Sequence, residues 1–104
     1  MQRPRNAEEY VELVRQAVLE TEELRQAAEY DTDEMAAALG FLDPLEAELR
    51  KLYATMQAGN YAFADVDLPF MAVVDKQNER VLPFKRLLRL INLTHRQGLD
   101  AGDS

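Results

Sequence analysis

The chain contains no cysteine, a single histidine, His95, and a single serine, the terminal Ser104. Without cysteine there is no disulfide framework, thiolate zinc site or thiol nucleophile. With so little serine and histidine, one subunit cannot assemble the Ser-His or Cys-His pair that activates a nucleophile. Glycine is sparse: Gly40, Gly59, Gly98 and Gly102 stand alone, so there is no glycine-rich loop to cradle a phosphate. No apolar run approaches the roughly 18 residues of a membrane-spanning helix. The basic start, Met1 to Asn6, leads into Glu8 and Glu9 instead of an apolar leader core, so a cytoplasmic protein is expected.

Positive charge is also scarce, with 12 lysines and arginines against 19 carboxylates and a net charge of -7. Binding to nucleic acid or to anionic lipid is therefore not expected, because both rest on neutralising phosphate. Residues 1 to 67 hold 15 acids and 6 bases, and residues 68 to 104 hold 4 and 6. This asymmetry predicts that the two parts attract.

What is present is a globular composition, 47% hydrophobic and 30% charged over 104 residues, enough for one domain with one core. Asn6 is a good helix N-cap, with Glu9 three residues on to complete a capping-box-like start. Tyr10, Val14, Ala17, Thr21, Leu24 and Ala28 then recur at helical spacing, predicting a helix from Ala7 to about Glu29. Asp31, Thr32 and Asp33 predict a second start, with a short helix from Glu34 to Phe41. Asp43-Pro44 predicts a third, in which Asp43 caps, Pro44 takes the first helical position and Leu45, Leu49, Leu52 and Met56 line the apolar face. That helix ends at Ala58-Gly59-Asn60. An ordered loop is expected over 60–69. Residues 70–82 fit a helix, with a small β-hairpin as the alternative.

The last helix, Phe84 to about Gln97, places Phe84, Leu87, Leu88, Leu90 and Ile91 on one side and Lys85, Arg86, Arg89, Asn92 and Arg96 on the other. The tails, 1–6 and 99–104, are expected to fray. The sequence thus predicts a single all-α domain over 1–104, a bundle of four to five helices. Its core is expected to comprise Val14, Ala17, Leu24, Leu45, Leu49, Leu52, Met56, Phe84, Leu87, Leu88 and Ile91.

Chemistry-bearing patterns are few. Asp31/Asp33 and Asp65/Asp67 are Asp-x-Asp pairs, but neither is followed by the glycine and distal glutamate of a calcium loop, and both suit helix starts or solvated turns. Glu9/Glu12 and Glu20/Glu23 fall on a solvated helix face. His95 has Asn92 three residues before it and Gly98 three after, which is no metal-ligand spacing. It is expected to cap the end of the last helix, with ligand binding or pH sensing as the alternative. No catalytic residue, metal or cofactor is expected.

Tyr61, Phe63, Asp65 and Asp67 form the most recognition-like cluster, although both aromatics could equally plug the core. Arg86, a candidate partner contact, belongs to a basic amphipathic stretch of the kind that can lie on membranes or enter a partner's groove, although its bases are more simply expected to face the Glu-rich first helix. Leu19 and Leu93 are apolar residues on polar helix faces and suggest a homodimer contact. The function expected is that of a small acidic helical interaction or regulatory module that holds a protein partner without covalent chemistry. One alternative is small-ligand binding between the 60–69 loop and the last helix through Tyr61, Tyr53 and His95. A carboxylate-based enzyme is the weakest reading, since it needs a carboxyl buried in an apolar pocket.

Overall fold

Asn6 starts the first helix as its sequence implies: its Oδ1 accepts the Glu9 backbone N–H at 2.8 Å, while Glu9 Oε1 reaches back to the N–H of Arg5 at 2.9 Å. The computed structural model describes residues 3–30 and 39–100. Among them are four helices and no strand: α1 (Ala7–Tyr30), α2 (Leu39–Gln57), α3 (Met71–Val74) and α4 (Lys85–Gln97). The architecture is all-α. The expected start at Asp31 to Asp33 lies outside the described residues.

Asp43-Pro44 does not start a helix, contrary to the sequence expectation. α2 runs unbroken through Pro44. A proline inside a helix denies a hydrogen bond to the carbonyl four residues back and crowds it. Here that carbonyl belongs to Gly40, in the first turn of α2, exposed and with no neighbour within 4 Å of where a Cβ would stand, so water can take the place of the missing N–H. Asp43 turns outward to Arg25 of α1, at 2.7 Å, instead of capping. The other end of α2 follows its sequence. Gly59 takes a φ of +78°, Asn60 N–H bonds the Thr55 carbonyl and Gly59 N–H the Met56 carbonyl, which together form a Schellman stop.

α1 lies between α2 and α4. Its stripe of Tyr10, Val14, Ala17, Thr21, Leu24 and Ala28 is buried throughout, against Leu42, Leu45 and Leu49 of α2 and Leu87, Leu88 and Ile91 of α4. Two core expectations fall short, because Leu52 and Met56 are only partly buried at the margin. Their places are taken by Leu68, Phe70, Met71, Val74 and Leu82, which the connection between α2 and α4 delivers to the core. The hydroxyls of Thr21 and Thr94 are buried yet satisfied, each donating to the carbonyl four residues back at 2.8 Å.

Only one helical turn, α3, forms within 70–82, and no hairpin is present. The reason is Asn78, whose Oδ1 accepts the N–H groups of Arg80 and Val81, each at 3.0 Å, and so closes the backbone into turns. Lys85, expected on the polar side of α4, is buried and donates from Nζ to the Gln77 carbonyl at 2.5 Å, holding those turns against the helix.

Neither described end hangs free of the fold. Arg3 donates to the Gly98 carbonyl at 3.1 Å and Asp100 N–H to the Pro4 carbonyl at 2.8 Å, so residues 3–4 and 98–100 bind each other.

Candidate functional site

The first turns of α1, the last turns of α4 and the loop over 60–69 meet at one end of the bundle. Tyr10 is buried by the apolar stripe of α1, and its Oη donates to the Ile91 carbonyl of α4 at 2.9 Å. Tyr61 Oη lies 3.0 Å from Tyr10 Oη and 2.5 Å from Nδ1 of His95. A carbonyl can only accept, so the Tyr10 proton points to Ile91 and the Tyr10 oxygen accepts from Tyr61. The Tyr61 oxygen must then accept from His95, which puts the imidazole proton on Nδ1. The chain therefore runs one way, from His95 through Tyr61 and Tyr10 to Ile91.

Burial sets the charge state of this chain. It lowers the His95 pKa below the ordinary 6.5, favouring the neutral ring. Burial also raises both phenols. All three groups are thus neutral at neutral pH, and at one end the chain closes on a backbone carbonyl. His95 does not cap a helix end through its ring: it is 7% exposed, and the bond it makes is to the loop.

A second set of bonds fastens the loop farther along. Asn92, expected to face solvent, is buried, accepting the Leu68 N–H at 2.7 Å and donating to Asp67 at 2.9 Å. Arg96 reaches Asp65 at 3.0 Å and Asp67 at 3.3 Å, and the Ala64 N–H bonds the His95 carbonyl at 3.2 Å. Both loop carboxylates are thus engaged by α4 cations or amides. No three His, Asp or Glu side chains cluster as metal ligands among the described residues.

Three aromatic rings stand on this framework. Tyr61 meets Tyr10 and Phe63 edge-on, at 5.6 and 5.2 Å between ring centres, and Phe63 lies parallel to Tyr10 at 5.8 Å. Phe63 remains 45% exposed, so it is neither a core plug nor a free side chain. Beside it opens a cleft of about 220 Å³, walled by Ala7, Tyr10 and Val11 of α1, Met56 and Gly59 at the end of α2, Tyr61 and Phe63 of the loop, and Leu99. Among the described residues, its only titratable side chains are the two tyrosines, whose hydroxyls are committed to the chain above.

Among the residues singled out from the sequence, Tyr61, Phe63, Asp65, Asp67 and His95 are brought together here. Arg86 is not: it stands on the outer face of α4, 3.4 Å from Glu79. The bases of α4 do not face α1 as expected. Arg86, Arg89 and Arg96 pair with Glu79, Asp75 and Asp65/Asp67, all from the connecting segments, while α1 places Glu22 and Arg25 against Arg50, Asp43 and Glu46 of α2. Tyr53 accepts a bond from Gln57 at 2.9 Å, while Tyr61 and His95 bond directly to each other. Tyr10, Met56 and Leu99 wall the cleft without standing out as site residues in the sequence. Tyr10 carried a signal, as a polar-tipped aromatic in an otherwise aliphatic stripe.

No helix is long and apolar enough to cross a membrane among the described residues. No protein-family model matches this chain, and no curated protein or solved structure is significantly similar to it.

Proposed function

We propose that this chain is a non-covalent protein-interaction module whose recognition surface is the aromatic cleft at the α1–loop–α4 end. The observation that carries the reading is Phe63: a large ring left nearly half exposed, stacked on a buried tyrosine, at the rim of an apolar cleft whose polar atoms are already paired. Such a surface offers apolar area at little entropic cost, because the loop bearing it is pinned to α4 at three separate residues. Its size suits one aromatic or branched aliphatic side chain from a partner, and its lack of a free titratable group argues for binding over catalysis. The cytoplasmic location expected from the sequence, and self-association through the exposed Leu19 and Leu93, belong to the same proposal.

Selection of peptides from a random display library tests it. The expected result is enrichment of sequences sharing an apolar or aromatic anchor, with binding lost in Phe63→Ala and retained in Leu93→Ala. Absence of any enriched class, or enrichment indifferent to Phe63→Ala, contradicts the reading. The small-ligand alternative is served by the same cleft, and a metabolite thermal-shift screen giving a specific stabiliser in place of a peptide class would select it.

A further inference from the structure

We infer that the outer face of α4 docks onto the outer face of α1 in a second copy of this chain. On α4, Arg86, Arg89, Leu90 and Leu93 line a shallow depression of about 370 Å³, with Leu93 41% exposed at its edge. The two arginines are loosely engaged within their own chain, Arg86 at 3.4 Å from Glu79 and Arg89 at 3.9 Å from Asp75, all four side chains being exposed. Pairs of this kind hold little and exchange readily. On α1, Leu19 is 42% exposed, and Glu20 and Glu23 after it make no ion pair among the described residues. The α4 face thus offers two loosely paired arginines beside an exposed leucine, and the Leu19 face offers carboxylates beside another.

Residue spacing decides the orientation. Positions four apart lie along one helix face, so Arg89 neighbours Leu93, and both Arg15 and Glu23 neighbour Leu19. With Leu19 seated beside Leu93, a parallel arrangement sets Arg15 against Arg89, whereas an antiparallel one sets Glu23 against Arg89. The antiparallel pairing is therefore the one formed. α1 and α4 turn their buried sides toward each other, joined by Tyr10 and Ile91, so the two outer faces belong to different sides of one molecule. The contact is heterologous: a dimer is its first step, and each dimer keeps one free face of each kind for further copies.

This inference rests on the self-association in that reading and uses a surface apart from the cleft, so it and the cleft fail separately, one in self-association and the other in peptide binding. Sedimentation velocity from low micromolar to millimolar protein at low salt tests it. The weight-average mass is expected to rise with concentration past that of a dimer and to fall as salt is added. Arg89→Glu and Glu23→Arg should each weaken association about tenfold or more, and the double variant carrying both changes should recover it. Both positions are exposed, and circular dichroism verifies that each variant is folded. A constant monomer mass, a rising mass indifferent to both single changes, or a double variant that fails to recover would overturn the inference.

Discussion

α1 is gripped on two sides by different physics. Toward α2 the contact is aliphatic, Val14, Ala17 and Leu24 against Leu42, Leu45 and Leu49, with a rim where Arg25 binds Asp43 and Glu46, and Arg50 binds Glu46 and Glu22. Toward α4 and the loop, packing on Leu87, Leu88 and Ile91 is joined by directed bonds through Tyr10, Tyr61 and His95, while Asn92 of α4 fastens the loop itself. Apolar burial is large and tolerant of small displacements. A hydrogen bond adds less net stability but fixes position, because a donor left unpaired inside is expensive. The α1–α2 seam therefore holds the fold together, and the clasp places the loop so that Phe63 stands over the cleft.

The sharpest way to break this contrast is at the seam. Leu49 is fully buried, and Leu49→Ala is expected to cost about 2 to 5 kcal/mol, read as a large drop in melting temperature. Leu88→Ala should behave alike, since Leu88 occupies the same core from α4. A near-neutral result at Leu49 would mean the seam is not where stability resides, and one at Leu88 would mean that α4 adds little to the shared core.

At the clasp the effect should be smaller and more local. Asn92→Ala strands the Leu68 N–H and one bond of Asp67, costing about 1 to 3 kcal/mol. Amide exchange at Ala64 and Leu68 should accelerate while that of α2 stays protected; uniform acceleration would deny the loop its separate fastening. Tyr61→Phe removes two bonds of the chain while leaving Tyr10 on Ile91, with an expected loss of about 1 kcal/mol in chemical denaturation.

Acid should separate the two regions by pH. His95 binds protons less readily in the folded state than in the unfolded one, so its contribution is full above its ordinary 6.5 and is lost as pH falls below that toward its lowered value. Burial pushes Glu46 upward, but its bonds to Arg50 and Arg25 outweigh this and leave it below 4.5, so the seam rim weakens only in more acid solution. His95→Gln should flatten the stability profile just below pH 6.5 and leave the lower limb alone. A profile unchanged by His95→Gln would mean that the imidazole is not held neutral by the fold.

The sequence carried most of the helices because local signals there agree with packing. Asn6 with Glu9, the stripe from Tyr10 to Ala28 and the Gly59 stop each act within a few residues. Asp43-Pro44 misled because a cap signal is local, whereas the fate of Asp43 was settled by Arg25, far away in the chain. Lys85 and Asn92 went to the wrong face for a similar reason: a helical wheel sorts by polarity, and both are buried because distant backbone groups, the Gln77 carbonyl and the Leu68 N–H, supply their partners. Within the site, composition singled out the 60–69 loop and His95. The order of the hydrogen-bond chain and the walls given by Met56 and Leu99 needed the tertiary arrangement.

Phe63→Ala puts the division of labour between seam and clasp to its most direct test, with binding of a selected peptide and thermal stability measured on the same protein. Loss of the Phe63 ring contacts should lower stability by about 0.5 to 1.5 kcal/mol, since the ring is half exposed, while peptide binding falls below detection. Cooperative unfolding near ambient temperature, or peptide affinity equal to that of the unmodified protein, would contradict the account.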